Sequence, residues 1–341
     1  MIKLFGAEYD FDNLKDRLGD ISVITGVKPY TLLEGAERGV MAIDVWSGPF
    51  SYTVIPDRGM DVCRVRYLGI PLDWISGTGI TSPFLYDSSG WNWLKSFHGG
   101  LVHTCGLENV GEPCSDEAGF YGGHGSISNT PSRENTWGVE ETTDGLRAYV
   151  TGKVRSVVPT EADLVLKRRI SSDLGRNSLI IEDSITNHGF EERPIFLLYH
   201  CNFGFPFVSK DSILIIPAET AVDADGQPVK EFMKLSDPID SVKEEIIHPL
   251  IDVSDREAVI NLYNPRLEPN GLSLVMTYSS NTLPHLTIWK YFQKRSYVLA
   301  VEPWTCRVGG RNRETNDGRT VLLGRDETMK TRLEIGVKES C

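Results

Sequence analysis

The chain has no close cysteine pair and no apolar run approaching the roughly 20 residues that a membrane-spanning helix requires. Its six cysteines, Cys63, Cys105, Cys114, Cys201, Cys306 and Cys341, are scattered. That pattern fits reduced thiols in a reducing compartment better than a disulfide framework. Positive charge is in short supply: 35 Lys and Arg against 47 Asp and Glu give a formal net charge of -12. Binding to a phosphate backbone needs a basic surface, so no nucleic-acid partner is expected. The opening residues Met1 to Glu8 turn acidic before any apolar stretch long enough for a signal peptide. We therefore expect a cytoplasmic protein with no membrane partner. No linker rich in Pro, Gly or Ser and no internal repeat breaks the chain, so one domain over 1–341, with a short N-terminal extension over about 1–35, is expected.

What is present is a period of two. From Leu146 to Arg155 the even positions are small or apolar and the odd ones polar or amphipathic, as a half-buried strand requires. Leu164 to Ile170 leads through Asp173, Leu174, Gly175, Arg176 and Asn177 into Ser178 to Ile185, which reads as a hairpin. Further strands are expected at Val40 to Val45, Ser51 to Ile55, Asp61 to Tyr67, Ser212 to Ile216, Leu272 to Tyr278, His285 to Tyr291, Tyr297 to Val301, Thr320 to Leu323 and Thr331 to Val337. Helical patterns are few and short, at Asp10 to Leu18 and Trp91 to Phe97. With 341 residues, 40% of them hydrophobic, the chain can bury a large core. An all-β sandwich of large antiparallel sheets accommodates this pattern better than a single barrel.

Two segments place a proton-transferring residue near the end of an apolar strand. Ile195 to Leu198 precedes Tyr199-His200-Cys201-Asn202-Phe203-Gly204, and Tyr297 to Val301 precedes Glu302-Pro303-Trp304. An imidazole and a carboxylate on rigid strands make a general acid/base pair. Three connections carry further candidates. In Pro56-Asp57-Arg58-Gly59-Met60-Asp61, Arg58 either pairs within its turn or donates to sugar hydroxyls. In Phe97 to Gly111, Gly99 and Gly100 allow either a pocket floor or close strand packing. There His98, His103 and Cys105 suggest a zinc site, but no fourth ligand is evident and no metal is expected. In Gly122-Gly123-His124-Gly125, His124 has small neighbours and reads as functional. Trp74, Trp91, Trp93, Trp137, Trp289 and Trp304 offer flat faces to the C–H face of a sugar, although packing accounts for most tryptophans, and Trp304, on the strand face of Glu302, is the best stacking candidate. Arg307, Arg311 and Arg313 are candidates for an anionic substituent, although solvated surface charge accounts for at least two of them.

The Gly-His-Gly turn, the Tyr-His-x-Asn-Phe-Gly segment, the Val-Glu-Pro strand end and the closing Leu323-Gly324-Arg325-Asp326-Glu327-Thr328 together resemble the aldose 1-epimerase (galactose mutarotase) superfamily. The Pro-Asp-Arg-Gly-Met-Asp and His-Gly-Gly-Leu-x-x-Thr-Cys-Gly-Leu-x-Asn-Val-Gly strings resemble its aldose-epimerase-like branch, known as a domain of unknown function. The resemblance implies a β-supersandwich with a small carbohydrate bound on one broad sheet. It implies that His200 protonates the ring oxygen, that Glu302 takes the anomeric proton and that His124 holds neighbouring hydroxyls, with no metal or organic cofactor. Arg58, His103, Asn202 and Trp304 are the further substrate-binding candidates, and a homodimer is allowed. Two positions depart from the family: an Asn-Arg pair is replaced by Asp57-Arg58, and the hydroxyl-binding aspartate has only Asp223 and Asp225 as candidates. A carbohydrate-binding protein without turnover, and an epimerase or lyase of a keto or acidic sugar, are the alternative readings.

Overall fold

The computed structural model describes residues 1–117, 119–160, 162–252, 256–267 and 270–339. Cys341 lies outside them, and the other five cysteines are free thiols.

Alternation along each strand decides which face it buries. In Gly145–Val158 the residues from Leu146 to Val154 alternate between buried and half-buried, as the side-chain period of a strand dictates. Ala162–Asp173 and Ser178–Asn187 form the expected antiparallel hairpin. Its reversal uses the positive φ of Gly175 (91°) and Asn177 (50°), conformations that glycine and asparagine reach at low steric cost. The helical pattern at Asp10 to Leu18 becomes one short helix, Phe11–Lys15, whose N-cap Asp10 accepts from the Asn13 N–H at 2.8 Å. That at Trp91 to Phe97 becomes the 3-10 segment Asn92–Ser96.

Three sheets make up the body, and all their pairings are antiparallel. An eight-stranded sheet runs in the order Arg133–Thr142, Gly145–Val158, Ala162–Asp173, Ser178–Asn187, Thr328–Glu339, Leu272–Ser279, Glu257–Asn264 and Ile213–Ile215. A seven-stranded sheet runs Ala221–Asp223, Glu245–Pro249, His285–Gln293, Ser296–Trp304, Arg193–Phe203 and Val321–Leu323, with His103–Leu107 also paired to Arg193–Phe203. A five-stranded sheet holds Thr25–Thr31, Met41–Ser47, Phe50–Ile55, Asp61–Tyr67 and Ile70–Pro71.

One core joins them. Val150, Leu166 and Leu333 from the first sheet, Leu197, Ile288 and Val301 from the second, and Val54 and Val62 from the third belong to one buried cluster. Each such side chain contributes roughly 1.5–3 kcal/mol of transfer free energy. Because Leu197, Tyr199 and Cys201 point into that core, Phe196, Leu198, His200 and Asn202 must point to the opposite face of the seven-stranded sheet. A second, aromatic cluster covers that face: Trp93, Phe97, Cys105, Phe196, Leu198 and Trp304 pack there. Its roof is the 3-10 segment Asn92–Ser96 and the residues following it.

Candidate active site

Register assembles the site. On the paired strands Arg193–Phe203 and Ser296–Trp304, Leu198 faces Trp304 and Cys201 faces Val301. The same register sets His200 opposite Glu302. Thr287 faces Glu302 from the next strand, His103 faces His200 from the other side, and the Ile247 to Ile288 pairing sets His248 opposite Thr287. Directly opposed residues share a sheet face. His248, Thr287, Glu302, His200 and His103 therefore form a polar row running straight across neighbouring strands.

His200 Nε2 and Glu302 Oε1 are 3.3 Å apart, with the two side chains 7% and 3% exposed. The contact is close but out of line for a hydrogen bond, and Glu302 Oε1 and His200 Nδ1 have no hydrogen-bond partner. Neither group is consumed by the other, so both remain available to a substrate hydroxyl. Burial, aided by nearby His124, pushes the His200 imidazole down to about 3, with Asn202 acting weakly in the opposite direction. Burial also pushes the Glu302 carboxyl well above the usual range, with Glu244 adding to it. In the closed site both groups therefore favour their neutral forms, and the pair carries one proton between them.

The roof over the pair is aromatic. Phe97 lies 4.9 Å from the His200 ring and Trp289 lies 5.4 Å from it, measured between centroids. Trp93 stacks on Phe97 at 4.6 Å and also touches His124 at 4.6 Å. His124 itself is 6.2 Å from His200. It is half-buried, and burial lowers its imidazole to about 4. Its turn is held against the His103–Leu107 strand by a bond from the Gly106 N–H to the His124 carbonyl at 3.0 Å. A Cβ at Gly125 would collide with the Gly106 carbonyl, and its φ of 70° is left-handed. Glycine is required there for the turn to come this close.

The other expected site residues have different positions. Arg58 is fully buried, and its nitrogens donate to the carbonyls of Ser128, Thr81 and Ser96 and to Thr81 Oγ1 at 2.6 to 3.0 Å. It ties three loops together instead of lining a cleft. Asn202 Nδ2 donates to the carbonyls of Gly100 (2.9 Å) and His200 (2.8 Å), fixing the strand end that carries His200. Trp304 is wholly buried in the aromatic cluster, with its indole N–H unpartnered. Gly99 and Gly100 admit close packing: a Cβ would lie 2.6 Å from the Trp74 carbonyl or 2.8 Å from that of Val62. Asp223 accepts from the Asp225 and Gln227 N–H groups in an edge turn of the seven-stranded sheet. Arg311 pairs with Asp116 at 2.7 Å.

His103 is completely buried, 3.2 Å from Asp61 Oδ2. Asp61, His98 and His103 each bring one ligand atom within 4.8 Å of the others, a set able to hold a cation. Cys105, weighed as a ligand from its spacing, lies in the aromatic cluster instead. The positive charge that Asp61 answers is already present. Arg58 pulls its carboxyl down against the burial that pushes it up to about 7.

Sequence reasoning missed Thr287, His248, Phe97 and Asp61, and reached Trp289 only as one of six tryptophans able to cover a sugar. Thr287 and Trp289 alternate with core-facing Ile288 and Lys290, a signal that shows a face but not its partners. A cleft of about 270 Å³ opens at the end of the polar row, lined by His248, His285 and Arg307 among apolar residues. A larger one of about 430 Å³ lies on the eight-stranded sheet among Lys167, Arg169, Glu182 and Lys330. That second cleft contains none of the row.

An all-β body of large antiparallel sheets, arranged as these are, defines a galactose mutarotase-like fold. The chain belongs to the family described as a domain of unknown function, DUF4432, whose model matches residues 37–337. Among solved structures it is similar to a "putative aldose 1-epimerase" from Klebsiella pneumoniae, at 22% identity over 91% of this chain and 83% of that one, with a TM-score of 0.83. It is also similar to a galactose mutarotase-like protein from Clostridium acetobutylicum, at 15% identity over 92% and 98%, with a TM-score of 0.60. A galactose mutarotase-like protein from Lactobacillus casei matches at 14% identity over 87% and 100%, with a TM-score of 0.52. At such identities the likeness is one of fold. Comparison with curated proteins gives no match.

Proposed function

We propose that this protein is an aldose 1-epimerase-type isomerase that interconverts the anomers of a small sugar by acid/base ring opening. The observation that carries this reading is the His200–Glu302 pair, opposed in register, 3.3 Å apart and almost closed to water. Such a pair holds one proton and one vacancy, which is what the reaction consumes and returns. Moving the proton from Glu302 to His200 makes the imidazolium the acid and the carboxylate the base. Glu302 then takes the O1 proton while His200 protonates the ring oxygen. The C1–O5 bond breaks to leave the open-chain aldehyde, the C1–C2 bond rotates, and closure on the other face reverses both transfers. The reaction needs no redox step, and each positioned group contributes on the order of 10²- to 10⁴-fold. In this reading His124, 6.2 Å from His200 between ring centroids, donates to a hydroxyl next to the ring oxygen, and the Phe97 and Trp289 rings beside His200 border the sugar. Free thiols suit a cytoplasmic setting, and among the described residues no helix is long and apolar enough to cross a membrane.

Anomer exchange followed by saturation-transfer NMR tests this over neutral aldoses, uronic acids, keto-sugars and sugar phosphates. Wild type should accelerate exchange for one class, and His200→Ala and Glu302→Gln should each lose about 10²-fold or more. Binding without exchange would make the protein a carbohydrate binder. Solvent deuterium on a ring carbon would make it an epimerase or lyase.

A further inference from the structure

The cleft at the end of the polar row is rich in donors and poor in acceptors. Its lining includes Arg307, His248 and His285, and no carboxylate. No carboxylate lies within salt-bridge distance of the Arg307 side chain among the described residues, although its neighbours are paired. Arg319 holds Glu314 at 2.8 Å, Arg311 holds Asp116, and Arg313 lies 4.0 Å from Asp317. Glu314, the nearby buried acid, is further occupied by the Arg307 backbone N–H at 2.9 Å. Beside the cleft the buried indole N–H of Trp304 has no acceptor, and its ring lies 6.1 Å from His248 and 6.5 Å from His285. In a chain of net charge -12, a guanidinium with no carboxylate partner stands next to two imidazoles, with Glu314 and Asp223 the acids that act on them from farther off. A planar guanidinium in such a setting matches a carboxylate or a phosphate.

The location ties this cleft to the acid/base pair. His248 stands in the same row as Glu302, with Thr287 between them and bonded to His248 Nδ1 at 2.9 Å. Neighbouring strands are about 4.8 Å apart, so the two backbones are separated by about 10 Å. His285 lies two residues from Thr287 on the same face, a step of about 7 Å. The far-carbon substituent of a hexose lies closer to its anomeric carbon than these backbones lie to one another, so the seat forms only with the His248, His285 and Arg307 side chains reaching inward to meet it.

We propose that the His248, His285 and Arg307 cleft seats the anionic substituent, a carboxylate or a phosphate, of the sugar whose anomeric centre is held by His200 and Glu302. This rests on the isomerase reading and narrows it to acidic sugars. Of the arginines weighed from sequence, Arg307 is the one left without a carboxylate partner.

Titration calorimetry with inorganic phosphate, glucuronate, glucose 6-phosphate and glucose reads binding independently of turnover, and histidine-ring NMR locates it. At least one acidic sugar should bind ten-fold or more tightly than glucose and shift the His248 and His285 ring signals. Arg307→Gln should weaken it at least ten-fold, Arg307→Lys should restore most of the affinity, and the surface control Arg313→Gln should change nothing. Whether glucuronate or glucose 6-phosphate binds more tightly separates carboxylate from phosphate. Acidic sugars that bind no better than glucose, that bind Arg307→Gln as well as wild type, or that are outdone by phosphate alone would overturn the proposal. Acid-sugar binding at this cleft with no anomer exchange would sink the isomerase reading alone. Exchange of neutral sugars, with the acidic ones ignored, would sink the anionic seat alone.

Discussion

Arg168 and Asp183 are both removed from water, and the guanidinium grips the carboxylate through Nη2 at 2.7 Å and Nε at 2.9 Å. Tyr199 donates to the same carboxylate at 2.5 Å, and Arg168 Nη1 reaches Thr104 Oγ1 at 2.7 Å. The Thr104 N–H in turn donates to Asp61 at 2.8 Å. This network crosses the core and ties all three sheets to the strand carrying His103. Removing one charge strands the other, so Arg168→Met should cost about 3–5 kcal/mol of unfolding free energy in urea titration. Arg168→Met with Asp183→Leu should recover most of that loss, because no lone charge remains. A double variant as unstable as the single one would show that the network contributes more than charge balance. His200 and Glu302 stood out in the sequence because each breaks an apolar run, and the register brings them together, whereas Arg58 was balanced between turn and cleft. Its bonding to loops far apart in the chain decides that question, and no local pattern encodes those distant carbonyls.

At the scale of elements, the alternating strands were readable wherever one face meets the core, as in Gly145–Val158 and Leu272–Ser279. Arg133–Thr142 was not, because it is an edge strand with no fully buried residue and a shifted register between Arg133 and Thr136. The polar row was also hidden. Its two pairings through His200 join strands about a hundred residues apart, which sequence spacing does not report. The His124 turn was readable from its glycines, and its closeness to the His103–Leu107 strand gives a prediction. Gly125→Ala puts a Cβ against the Gly106 and Asn109 carbonyls at a left-handed φ. The turn must lift away, at about 1–3 kcal/mol. Thermal unfolding should register that cost while circular dichroism stays all-β. Anomer exchange should fall through displacement of His124. An unchanged exchange rate in a destabilised variant would remove His124 from the chemistry.

Across the whole molecule, burial holds many titratable groups uncharged, and their balance sets how stability depends on pH. His124, His248 and His285 are lowered to about 4 and His200 to about 3, and His98 and His103 are also pushed down. A group whose folded value is depressed below an unfolded value near 6.5 contributes fully above that pH. Its contribution is lost as pH falls towards the folded value. Opposing them, Asp61 is raised to about 7, Asp73 to about 6, and Glu108 and Glu302 also go up. Asp61 and Asp73 contribute fully below about pH 4 and lose their share as pH rises through 6 to 7, and Glu108 and Glu302 act in the same direction. The histidines outnumber the carboxyls, so between pH 4 and 6.5 the unfolded chain binds more protons and stability climbs with pH. Scanning calorimetry should therefore show Tm rising by on the order of 5 °C from pH 5 to 6.5, with the rise ending there once the histidines are neutral in both states. A Tm that falls over the same interval would mean that the buried carboxyls dominate and that the histidines are less desolvated than their packing implies.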